Sequence, residues 1–136
     1  MSKALKDASF SETDVALPNG AASTYSSDID LGFALGTGHE RPNLELIITV
    51  PDLTVTHLPD TRTLTLAVAA GASANPTTLI ADSIEVFTGA GGAGASGTTT
   101  RFTLPTDCPR YVRVKFTGGT SAGDMSAVDA EVSMVF

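Results

Sequence analysis

The run Arg110-Tyr111-Val112-Arg113-Val114-Lys115-Phe116 alternates so strictly that it leaves this chain few folds to adopt. Successive side chains of a strand point to opposite faces, so Val112, Val114 and Phe116 share one side while Tyr111, Arg113 and Lys115 share the other. One face requires a core, and the other requires water or an acidic partner. Pro105 and Pro109 precede the run and remove two backbone donors, which keeps those positions out of a central ladder. Gly118-Gly119 ends it as a turn signal. The last strand, AEVSMVF, again places Ala130, Val132, Met134 and Phe136 on one face. Two antiparallel strands are therefore expected to finish the chain.

The same period recurs upstream. TRTLTLAVAA puts Leu64, Leu66 and Val68 inward and Thr63, Thr65 and Ala67 outward, the pattern of a half-buried strand. NLELIITV, residues 43–50, is the most apolar run, and its consecutive Leu46, Ile47 and Ile48 predict a central strand covered on both faces. Residues 23–31 form a further strand with Ile29 and Leu31 on one face, residues 79–87 one or two short strands, and TTTRFTLP another with Phe102 and Leu104 together. Gly32, Gly36, Gly38 and Pro42 break the chain into a loop between the first two of these. Roughly seven or eight short strands separated by turn signals suit an antiparallel two-sheet sandwich or jelly roll. Residues 1–20 carry isolated apolar anchors, Leu5, Phe10, Val15 and Leu17, without a period, and are expected to form an extended N-terminal arm or a short strand laid on a surface. Residues 21–136 then make one sandwich domain.

Composition narrows the function classes. The chain has 136 residues, enough for one hydrophobic core, and a formal charge of −7 from 15 acidic and 8 basic side chains. Nucleic-acid binding needs clustered Lys and Arg to displace phosphate counterions, so that class is disfavoured. A single cysteine, Cys108, allows no intrachain disulfide. The first residues lack the apolar centre of a signal peptide, and no apolar run approaches the ~20 residues of a spanning helix. The reading is a soluble protein made in the cytoplasm, with no membrane partner.

Candidate chemistry is thin. Gly89, Gly91 and Gly94 spell G-x-G-x-x-G after a strand-like stretch, but that motif works by opening a helix towards a pyrophosphate, and here the β-rich TTTRFTLP follows. Residues 89–97 are expected to be a surface loop, either mobile or held by a neighbouring subunit. Asp28 and Asp30 share a strand face and offer hard oxygens to a cation, yet no ligand loop surrounds them, so solvated edge carboxylates are expected. His39 and His57 lie too far apart in sequence to suggest zinc by spacing. Cys108 between Asp107 and Pro109 reads as a buried thiol and not as a nucleophile. No catalytic residue, cofactor or metal is assigned, and the expectation is a non-enzyme. Arg110, Arg113 and Lys115 form a basic stripe on an acidic protein, able to pair with a neighbouring chain or to remain solvated.

Thr103 to Phe136, through Leu104-Pro105, Arg110-Tyr111-x-Arg113, a glycine turn, and Gly123 and Ala127 before the last apolar strand, resembles the C-terminal part of a family of capsid decoration, or cement, proteins of tailed bacteriophages. Ile29 to Gly32 followed by a glycine loop and LELIITV is also similar to that family. The resemblance implies a jelly roll that assembles as a homotrimer on the outer surface of the capsid and bridges major capsid protein subunits. On that reading Leu5, Phe10, Arg110, Arg113 and Lys115 are the expected capsid or subunit contacts. A carbohydrate- or receptor-binding sandwich, such as a head fibre or surface adhesin, is the alternative, although the chain has no Trp and only two tyrosines to build a sugar platform.

Overall fold

The structure is a computed structural model that describes residues 10–35 and 44–135. Its regular elements are nine strands: β1 Ser11–Ala16, β2 Ser23–Tyr25, β3 Ile29–Asp30, β4 Glu45–Val50, β5 Thr63–Gly71, β6 Leu79–Thr88, β7 Thr98–Thr103, β8 Tyr111–Gly118 and β9 Asp129–Val135. No helix occurs among the described residues. One antiparallel sheet has the order β1-β9-β4-β7, and the other β2-β8-β5-β6 with β3 also on β8. Counting β2 and β3 as one interrupted strand, the pairs β1·β9, β2/β3·β8, β4·β7 and β5·β6 nest inside one another. The chain is thus a long hairpin rolled into two sheets, the jelly-roll arrangement of an all-β sandwich.

Alternation decides which faces meet. Leu64, Leu66 and Val68 of β5, Val112, Val114 and Phe116 of β8, and Val132 and Met134 of β9 are all buried, as their period predicts. Cross-strand pairs Leu66–Phe116, Ile48–Val132 and Leu46–Met134 lock the register of both sheets. A one-residue slip would move each set to the outside. Loop residues close the sandwich: Leu17, Leu53, Leu58 and Met125 are fully buried beyond the strand ends.

Several expectations change. β4 is internal to its sheet, but only Leu46, Ile48 and Val50 are buried; Glu45, Ile47 and Thr49 are half-exposed because nothing among the described residues packs on that outer face. The strand expected over residues 23–31 breaks at Ser26. This serine's N–H donates to the Val114 carbonyl at 2.9 Å while its Oγ accepts from the Val114 N–H at 2.9 Å, so a side chain replaces one rung of the ladder. Residues 79–88 form one ten-residue strand with register shifts. The expected arm over residues 1–20 is, from Ser11 onward, a sheet strand: β1 pairs with β9, Val15 and Leu17 are buried, and Phe10 is half-buried against the core with its carbonyl accepting the Met134 N–H at 3.2 Å. Leu5 and His39 lie outside the described residues.

Candidate functional site

The basic stripe is the one cluster of sequence-selected residues that the fold gathers, and it divides into two parts. Arg110 sits just before β8, where Asp30 of β3 pairs with Tyr111. Its Nε donates to Asp30 Oδ1 at 2.8 Å and a terminal nitrogen to Oδ2 at 3.1 Å, the two-pronged fit of guanidinium to carboxylate. Asp30 Oδ1 also accepts from the Gly32 N–H at 2.8 Å, and the aspartate is only 7% exposed. Hydrogen bonding to this carboxylate raises the pKa of Arg110 above its ordinary value and fixes its charge. Arg110 is therefore a clamp between β3 and β8, with its charge answered inside the chain.

Arg113 and Lys115 differ. Both lie on the outer face of β8, and among the described residues neither forms an ion pair. Arg113 stacks 3.6 Å from the Tyr25 ring centroid and donates through Nε to the Pro76 carbonyl at 2.8 Å, while Lys115 Nζ lies 5.8 Å from the same ring. Across the ladder they face Ala69 and Ala67 of β5. Those alanines are buried although they point away from the core, because the aliphatic stems of long neighbours cover small side chains. The result is a two-cation patch on a small apolar floor with an aromatic rim, suited chemically to a carboxylate-bearing surface. Tyr25 and the two alanines were not selected from sequence. The signal was in the register that sets Tyr25 opposite Lys115, which no local pattern reveals.

The other candidates resolve into structural roles. Asp28 Oδ2 accepts the Asn75 N–H at 2.7 Å and so fastens the β5–β6 turn, while Asp30 is committed to Arg110. Asp28 precedes β3 and sits outside any strand, so the shared strand face expected for the two carboxylates is not formed. Cys108 is buried, and burial, with a smaller contribution from Asp107, pushes its thiol up to about 12, which suppresses the nucleophilic thiolate. His57 is a loop residue whose Nδ1 lies 3.2 Å from the Thr54 N–H that donates to it.

The glycine tract is held by its own chain, which corrects the expectation of a mobile or subunit-held loop. Leu53 and Ala95 exchange N–H···O bonds at 2.9 Å in both directions, Gly92 N–H donates to Asp60 at 2.8 Å, and Gly97 N–H to Asp52 at 2.6 Å. Gly94 has φ +72°, and a Cβ there would collide with the Leu53 carbonyl, so the close approach requires glycine. The tract joins β6 to β7, and no helix N-terminus follows it. No protein-family model and no curated protein matches this chain.

Proposed function

We propose that this chain is a structural capsid decoration protein of a tailed bacteriophage, binding the outer head surface as a homotrimer and bridging major capsid protein subunits. One observation supports the reading most: the resemblance in Ile29–Gly32, LELIITV and Thr103–Phe136 implies a jelly roll, and the nested strand pairing is of that kind. The stretches that carry the resemblance are also those that build β3, β4, β8 and β9. Fold alone does not specify function, so the reading is placed on surfaces. Arg113 and Lys115 offer cations without an internal carboxylate, as a contact with an acidic capsid strand or subunit requires.

The mechanism is linkage. A protein that binds only the assembled, expanded shell stabilises it by RT ln(1 + [L]/Kd), about 2.7 kcal/mol per site at a hundredfold excess over Kd. Multiplied over many capsomer seams, this opposes opening of the shell by packaged DNA. A sugar-binding platform has less support, since the Tyr25 ring already carries Arg113 on one face.

The test is co-sedimentation with heads of the cognate phage. Saturable binding to empty expanded heads, with a raised shell melting temperature and no binding to unassembled capsid protein, is the expected result. Equal binding to unassembled subunits, or none to heads, overturns it.

A further inference from the structure

A sheet edge exposes unpaired N–H and C=O groups, and folded proteins blunt such edges with bulges, charges or interruptions. Two sheets have four edges, and three here carry such a device. β1 is bulged between Glu12 and Val15. The opposing edge of the other sheet is split into β2 and β3. β6 shifts register twice and bears Asp82 and Glu85, the latter paired with core-facing Leu66 and so turned towards the sandwich interior. β7 has no such device. It matches β4 over six consecutive residues without a shift, has no proline, and its one charge, Arg101, is tied to Glu45 at 2.8 Å. Among the described residues nothing pairs with its other side.

We propose that the free edge of β7 accepts residues 1–9 of a second copy of this chain as an added strand. The flank beside that edge has the matching chemistry. β6 and β7 approach one another there, Phe102 is half-buried against the core, and neither Asp82 nor Glu85 forms an ion pair among the described residues. The segment supplies Leu5 between Lys3 and Lys6, an apolar anchor flanked by cations. An extended strand would turn Leu5 to one face and Lys6 to the other.

Geometry selects a second copy over the chain's own segment. β1 and β7 are opposite edges of a four-stranded sheet, so three inter-strand gaps of about 4.8 Å put them about 14 Å apart. Nine extended residues reach about 30 Å. Crossing the sheet end in the same chain would consume about half of that reach and leave about four residues to pair, whereas exchange between copies leaves the whole segment available. Such donation is head-to-tail, and a head-to-tail contact repeated around an axis closes a ring. The inference deepens the homotrimer in the proposed function and rests on that reading for the ring size alone.

The experiment compares the full chain, a chain lacking residues 1–9, and Leu5→Asp by sedimentation velocity across micromolar concentrations. The full chain is expected to associate, and both variants to do so at least tenfold more weakly while keeping a native β spectrum. Mixing Ala4→Cys protein with Thr99→Cys or Thr103→Cys protein should give an oxidised covalent pair in at least one mixture, since Cys108 is buried. A full chain that stays monomeric, a truncated chain that associates equally well, or absence of a covalent pair in both mixtures overturns the proposal. Head binding by a truncated chain that associates normally would refute arm exchange and leave the decoration reading standing. Arm-dependent oligomers that ignore heads would do the reverse.

Discussion

Replacing Arg110 separates a structural clamp from an interface residue. Arg110→Met keeps the aliphatic length but leaves the Asp30 carboxylate, 7% exposed, with the Gly32 N–H as its remaining named donor. Removing one partner from a fully buried ion pair costs about 3–5 kcal/mol. Here the arginine side chain is 41% exposed, so water reaches one side of the pair, and the expected loss is about 2–3 kcal/mol. At this chain length that lowers Tm by roughly 6–12 °C. Urea unfolding of Arg110→Met, Asp30→Asn and the double variant closes the cycle. Neutralising Asp30 removes the stranded charge, so the double variant should be less destabilised than the sum of the singles by about 1–2 kcal/mol. Lys115→Met, on the same stripe without a carboxylate partner, should change stability by no more than about 0.5 kcal/mol. An Arg110→Met protein as stable as Lys115→Met, or a cycle without coupling, refutes the clamp.

The remaining predictions follow from packing, titration and the patch. Phe116→Ala, at a fully buried site, should cost about 3–5 kcal/mol in urea unfolding, against a negligible change for exposed Val86→Ala. Gly94→Ala combines a positive φ with a carbonyl collision and should cost about 2–4 kcal/mol, whereas Gly91→Ala, with open space around its Cβ, should cost about 1 kcal/mol from φ alone. The Cys108 thiol lies above its ordinary 9.0, at about 12, so between those values the unfolded chain holds fewer protons than the folded one. Stability should therefore fall as pH rises through that window and be unaffected below it; alkaline denaturation of Cys108→Ala should lack this component. Lys115→Ala should weaken head binding at least tenfold with Tm unchanged, measured by co-sedimentation alongside calorimetry.

Alternation carried most of the fold. Val112, Val114 and Phe116 had one arrangement compatible with burial, and their neighbours Leu64, Leu66 and Val68 had the same, so both sheets' inner faces could be read before any pairing was known. Exceptions arose where a local pattern competes with a distant partner. Ile47 belongs to an apolar run yet faces outward, because β4 has a neighbour sheet on one side only. Ser26 interrupts a strand by offering its own oxygen to Val114, a contact between residues 88 apart in sequence. The glycine tract looked unconstrained because its tethers, Asp52, Asp60 and Leu53, come from a separate loop. Arg110, Arg113 and Lys115 are indistinguishable by period. Only the position of Asp30, brought beside Arg110 by β3–β8 pairing, tells the internal charge from the external ones.

That division bears on where the chain can meet a partner. A nested jelly roll commits one face of every strand to the core, so new contacts must use outer faces, loop ends or edges. Loop ends are largely spent on one another: Gly20 donates to the Gly123 carbonyl, Gly123 to His57, and Gly89 to Arg62, each at 3.0 Å. What remains is the Arg113–Lys115 patch on one sheet and the regular edge of β7 on the other. They belong to different sheets, so one can serve a second copy while the other stays open to a larger surface. A cement protein requires that separation, since its self-contact must persist while the assembled ring grips the shell.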